Sequence, residues 1–150
     1  MGQNWARYTP YTPTLTASSS NPDLGTAPTT TGYYRRDGNR VWGYAGITFG
    51  TSPTAGSGTY GLLLPAEPID RNQPVGSGYL IDLSDNVRMV LAAAGVATSF
   101  FAATASKAVL FTSNIATEGI GSGANPVGAA VPWTWAEGDS ITLQFDYEAA

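Results

Sequence analysis

The segment at residues 139–148 alternates apolar and polar residues more regularly than any other part of the chain. The apolar set is Ile141, Leu143, Phe145 and Tyr147, and the polar set is Thr142, Gln144, Asp146 and Glu148. A period of two places the two sets on opposite faces of an extended chain. The pattern therefore predicts a β-strand with one face in a core and the other in water.

Residues 40–49 also alternate, but both of their faces carry apolar bulk. One face holds Val41, Gly43, Ala45, Ile47 and Phe49, and the other holds Trp42, Tyr44 and Thr48. Residues 30–36 favour a strand as well, and Asp37-Gly38 between the two segments favours a tight hairpin turn. The pattern is typical of a sandwich strand whose second face packs against a partner.

The remaining chain reads as short strands separated by loops rich in glycine and proline. Further strands are predicted at residues 59–64 and 79–84, one edge strand is possible at 12–16, and loops are predicted at 50–58, 66–78 and 114–132. Residues 87–113 are ambiguous, because alanine clusters favour a helix while valines and phenylalanines favour strands. Interpreted as two or three strands, they complete an all-β sandwich or jelly roll of eight or nine short antiparallel strands.

The domain organisation suggested by this pattern has two parts. Residues 1–28 contain four prolines, which exclude a long helix, and they are predicted to form an extended N-terminal arm. Residues 29–150 are predicted to form the sandwich. The first part is either a loose terminus or an arm that docks on a neighbouring subunit, since it carries four large apolar side chains: Trp5, Tyr8, Tyr11 and Leu15.

Composition narrows the possible functions. The net charge is −4 and only 12% of residues are charged, so the chain lacks the basic surface expected of a nucleic-acid-binding protein. Residues 87–111 are interrupted by Lys107 and by serine and threonine and are rich in alanine and glycine, so they do not fit a membrane span. The first residues do not resemble a signal peptide.

The candidate chemistry is sparse. Histidine and cysteine are absent, which excludes a Ser-His-Asp triad and any thiolate or imidazole metal ligand. The acidic residues are scattered, and no pair stands out as a glycosidase pair. Residues 82–86 are rich in oxygen ligands, but an Asx-type turn explains them better than a calcium loop does. We therefore predict no catalytic residue, metal or cofactor, and no enzymatic activity.

Trp133 and Trp135 occupy alternate positions and share one face if the chain is extended there. An exposed pair of indoles could stack on a glycan. Alternatively, the two side chains close one end of the sandwich, which agrees better with how often tryptophan is buried.

An ordered set of short motifs resembles a β-rich module of minor tail and other virion proteins of tailed bacteriophages, especially phages of actinobacteria. The motifs are Trp5 with Tyr8-Thr9-Pro10 and Thr14, Gly-Tyr-Tyr-Arg-Arg at 32–36, Ile-Thr-Phe-Gly at 47–50, the segment at 56–65, and the closing segment at 132–149. Residues 87–105 depart from the pattern in their many small side chains. The module also often ends a longer protein.

The resemblance implies a non-enzymatic structural protein of a virion, made in the host cytoplasm and placed on the head surface or the tail. It would be a capsid decoration, a fibre or a minor tail protein, held by its N-terminal arm to the major capsid or tail protein. A homo-oligomer is expected, with a trimer as the favoured state. The alternative is a tail module that recognises a host receptor or a cell-wall glycan through Trp133, Trp135 or loop tyrosines.

Overall fold

The computed structural model describes residues 7–69, 73–95, 107–112 and 125–150. They contain ten β-strands: β1 (Thr9–Pro10), β2 (Leu15–Ala17), β3 (Thr29–Asp37), β4 (Arg40–Thr48), β5 (Tyr60–Leu63), β6 (Pro74–Asp82), β7 (Val87–Gly95), β8 (Lys107–Thr112), β9 (Asn125–Pro126) and β10 (Ser140–Glu148). No α-helix occurs in the described ranges. The predicted all-β, sandwich-like fold class is confirmed.

The strands form one continuous antiparallel sheet in the order β1-β3-β4-β10-β6-β7-β8-β5-β2, with β9 paired to β8. Strand β10 lies between β4 and β6, so two strands distant in sequence share it as a neighbour. The sheet folds over a single core. Trp135 marks this closure, because it contacts Phe49 next to β4 and Tyr60 in β5.

The core follows the predicted alternation closely. The apolar side chains of β10 at positions 141, 143, 145 and 147 are buried, as are Val41, Ala45 and Ile47 of β4. Strand β7 buries Met89, Leu91 and Ala93 on the same rule. Sheet pairing on both sides of β7 outweighs the helix propensity of its alanines.

Three strand boundaries differ from the sequence prediction. The hairpin turn is Gly38-Asn39, with Asp37 paired to Arg40, and Gly38 supplies the positive φ of 57° that a tight turn requires. Residues 74–78, predicted as loop, belong to β6, because their backbone pairs with β10 and β7 despite Pro74 and two glycines. The expected edge strand begins at Leu15.

Residues 7–28 are extended, as predicted, but they do not lie outside the domain. Strand β1 pairs with β3, and β2 pairs with β5 at the opposite end of the sheet. The Tyr11 backbone nitrogen donates to Gly32 in β3 (3.0 Å), and the Leu63 nitrogen donates to Thr14 (2.9 Å). This segment therefore bridges the two ends of the sheet. The boundary at residue 28 does not separate an arm from a core in the described residues.

Candidate functional site

The outer face of the sheet presents the polar side of β10 between two aromatic strands. Gln144 lies at its centre, opposite Tyr44 of β4 on one side and Ser77 of β6 on the other. Its β10 neighbours at 143 and 145 are buried, so alternation directs the Gln144 side chain outward, where it is exposed. The regular alternation of residues 139–148 thus places Gln144 on the outer face.

An aromatic cluster forms the first wall. Tyr44 pairs with Tyr33 of β3, and their rings stack with centroids 5.6 Å apart and planes 23° from parallel. Tyr8 packs edge-on against Tyr33 at 5.2 Å. Such aromatic pairs add stabilisation beyond the area that they bury. The three rings therefore pack as one cluster on the outer face.

Gly46 makes room for the Tyr44 ring. A Cβ at position 46 would lie 2.8 Å from the Tyr44 hydroxyl oxygen and 3.0 Å from its ring. No L-amino acid with a Cβ atom fits at position 46 without displacing the Tyr44 ring. Gly46 therefore sets the position of Tyr44 on the outer face.

The opposite wall comes from β6 and β7. Tyr79 lies opposite Thr142 of β10 and Val90 of β7. Tyr79 is 55% exposed and Val90 is 64% exposed. The outward residues between this wall and Tyr44 include Ser77 and Thr142, which are smaller than the tyrosines on either side. The outer face therefore dips along its middle.

The dip is an open groove in two adjoining halves of about 480 and 400 Å³. The halves share Tyr44, Ser77 and Gln144. We call this groove the outer trough. Its side-chain lining is Tyr8, Tyr33, Trp42, Tyr44, Ser77, Tyr79, Val90, Thr142, Gln144 and Asp146.

The charged residue in the described lining is Asp146, which lies at one end of the outer trough and pairs with Arg40. Arg40 donates two hydrogen bonds to Asp146, at 2.9 and 2.6 Å. These bonds hold the pKa of Asp146 below its ordinary value and raise that of Arg40. The guanidinium groups of Arg35 and Arg40 lie 5.5 and 5.3 Å from the Trp42 ring centroid.

The residues expected to dock the arm are distributed differently from the prediction. Trp5 lies outside the described residues. Tyr8 is half-buried at the outer trough, but Leu15 is only 5% exposed and Tyr11 packs on the core against Tyr34 and Phe145. Burial raises the pKa of the Tyr11 phenol far above its ordinary value. Tyr11 and Leu15 thus belong to the domain interior.

The tryptophan pair lies at one end of the core rather than on a binding face. Trp135 is 3% exposed, stacks on Phe49 at 5.2 Å, and donates from Nε1 to the carbonyl of Gly128 at 2.9 Å. Trp133 is half-buried against it at 5.5 Å. Trp135 therefore presents no free ring to a glycan, and the alternative role of closing the sandwich fits its position.

Residues 82–86 form a turn. The Asp82 carboxylate accepts hydrogen bonds from the Ser84 hydroxyl at 2.7 Å and from the Asp85 backbone at 3.1 Å. These bonds lower the pKa of Asp82. The described residues hold no cluster of three acidic side chains that could bind a metal ion. They also contain no helix of the length and apolarity that a membrane span requires.

Sequence reasoning did not find the outer trough. It identified Trp42 and Tyr44 as a second apolar face of β4 and Gln144 as outward, but it gave no reason to bring them next to Ser77 and Tyr79. The strand order supplies that reason. A scan against protein-family models and searches of curated proteins and of solved structures each found no match to this chain.

Proposed function

We propose that the chain is a non-enzymatic structural subunit of a tailed-phage virion, which exposes the outer face of its sheet on the particle as a binding surface. The motifs of the closing and hairpin segments support the virion role through their resemblance to virion modules. The observation that carries the binding role is the outer trough, where exposed aromatic and polar side chains converge on one face.

The architecture suits a binding surface that must stay in shape. The trough is carried by β-strands and not by loops, and its central strand is hydrogen-bonded on both sides. Side chains on such strands are held more firmly than those on loops, so less freedom is lost when a ligand binds. The stacked Tyr33 and Tyr44 rings add to this preorganisation.

The buried side chains of residues 7–28 limit which surfaces of the chain can contact the particle. Leu15 is part of the core and Tyr11 packs against it, so neither can dock on the major capsid or tail protein without opening the edge of the sheet. The contact with the particle must use other surfaces of the chain. A homo-oligomer, with a trimer as the favoured state, remains part of the proposal.

The test is a cryo-electron microscopy reconstruction of purified particles, combined with quantitative mass spectrometry of the same preparation. The expected result is many copies of the chain per particle, arranged as symmetric oligomers with the outer trough facing solvent. If purified particles do not contain the chain, the proposed function is wrong. Sedimentation of the isolated protein supplies the second measurement: a stable species of 15.6 kDa at micromolar concentration contradicts the oligomer.

A further inference from the structure

We infer that the outer trough binds a neutral oligosaccharide laid across strands β3, β4, β10, β6 and β7. This inference names the ligand class of the binding surface proposed above and rests on that role. Trp133 and Trp135 take no part in it. The ligand would contact Tyr33, Tyr44 and Tyr79 through its ring faces and Ser77 and Gln144 through its hydroxyl groups.

The aromatic side chains supply surfaces for the apolar faces of sugar rings. Tyr33 is 40% exposed and Tyr79 is 55% exposed, so each ring has free surface in the trough. Tyrosine combines a large apolar ring with a hydroxyl group, which suits a ligand that is apolar on its faces and polar at its edges. Five adjacent strands span about 20 Å, enough for several linked sugar units.

The polar groups between the aromatic walls match the edges of sugar rings. The Gln144 amide offers two donors and one acceptor, and the Ser77 hydroxyl offers a donor and an acceptor. Both side chains are exposed and line the two halves of the trough, so their polar groups can reach a ligand. A few such groups among apolar walls fix the orientation of a ligand and discriminate between hydroxyl patterns.

The charge distribution argues for a neutral ligand. Asp146 is neutralised by Arg40, and Arg35 lies between the Tyr8 and Trp42 rings. The central lining from Tyr44 to Val90 carries no charged side chain. An acidic polymer would meet no cation in this central lining, since Arg35 and Arg88 lie outside it, and the net charge of the chain, −4, disfavours such a polymer further.

The shape of the face favours an extended ligand over a second copy of the chain. Tyr79 and Val90 rise on one side and the Tyr33–Tyr44 stack on the other, while Ser77 and Gln144 lie between them. Two copies facing each other would bring wall against wall and leave the dip unfilled. A chain of sugar rings that crosses the strands would rest on both walls and reach into the dip between them.

The experiment measures binding of the intact protein to four hexasaccharides by isothermal titration calorimetry. Cellohexaose, mannohexaose and β-1,4-galactohexaose are neutral, and hexagalacturonate is the acidic comparison. We expect binding to at least one neutral hexasaccharide and none to hexagalacturonate. Failure of all three neutral hexasaccharides to bind overturns the inference, as does preference for the acidic one. Neither result affects the presence of the chain on particles, which tests the proposed function separately.

Two variants and one control locate the binding. Tyr79→Ala and Gln144→Ala change exposed side chains, and each is expected to weaken binding roughly tenfold. Glu148→Ala is the matched control, because it lies on the same face of β10 but outside the trough, and it should bind as the unchanged protein does. Equal binding by all three variants places the sugar elsewhere and overturns the inference.

Sedimentation of the same variants tests the competing occupant. If Tyr79→Ala dissociates an oligomer that Glu148→Ala leaves intact, the trough is covered by a second copy and the inference is wrong. If all variants share one oligomeric state and only the trough variants lose sugar binding, the inference stands.

Discussion

Replacing Leu15 with alanine tests whether the N-terminal segment is part of the fold. The Leu15 side chain is 5% exposed and lies opposite Leu62, which is 1% exposed. Buried leucine-to-alanine changes cost about 2–5 kcal/mol, and the loss depends on how far the site can collapse. Strand β2 lies at the end of the sheet with one paired neighbour, so partial collapse is possible. We therefore expect Leu15→Ala to lower the free energy of unfolding by about 2–3 kcal/mol.

That loss is large against a typical unfolding free energy of about 5–15 kcal/mol. For a domain of this size it corresponds to a fall of roughly 4–12 °C in the melting temperature. The assay is urea unfolding followed by tryptophan fluorescence, with the midpoint and the slope fitted separately. We expect a lower midpoint with an unchanged slope, because the change affects stability and not the surface exposed on unfolding.

Thr14→Ala is the control, since Thr14 adjoins Leu15 and its side chain is exposed. A surface change of this kind should shift the unfolding free energy by no more than about 0.5 kcal/mol. If Leu15→Ala and Thr14→Ala unfold at the same midpoint, the burial argument is refuted and residues 7–28 are an appended arm. Deleting residues 1–20 extends the test: it removes β1 and β2, and we expect the remainder not to fold.

Three further predictions follow from the described contacts. Hydrogen bonds from Arg40 lower the pKa of Asp146 below 3.8, so the stability that this ion pair contributes is present above that pH and is lost as the pH falls below it. An Asp146→Asn variant should therefore show a flatter acid dependence of the unfolding midpoint, and an unchanged dependence would contradict this. Burial raises the pKa of Tyr60 and Tyr147 to about 12, so the free energy of unfolding should decline as the pH rises above 10. An ultraviolet titration in which every tyrosine ionises near pH 10 while the protein stays folded would refute this expectation. Gly46→Ala should displace the Tyr44 ring in a crystal structure of the variant, and a ring in its original place would show that position 46 has space to spare.

Local patterns predicted the strands whose two faces differ in polarity. Strand β10 is visible in the sequence because its buried residues are large and its outward residues are polar. Strand β7 was harder to assign, since alanine is compatible with both helix and strand, and its pairing partners decided the outcome. Residues 74–78 were missed because proline and glycine normally signal a loop.

Leu15 shows the limit of judging a core from periodicity alone. It stands between Pro13 and a run of serine and threonine, so no repeating pattern marks it as buried. Its burial comes from pairing with β5, about 45 residues further along the chain. The outer trough was hidden for a similar reason, because Tyr44 and Gln144 become neighbours only through the pairing of β4 with β10.

The central place of β10 also constrains the order of events during synthesis. Strands β3 and β4, and likewise β6 and β7, are joined by short turns and can pair as soon as each hairpin emerges from the ribosome. The inner edges of β4 and β6 have no shared neighbour until residues 140–148 have been made. Until then each hairpin offers an unpaired edge to other nascent chains on the same messenger. Growing chains thus keep two strand edges open to mispairing until residues 140–148 emerge and pair with both.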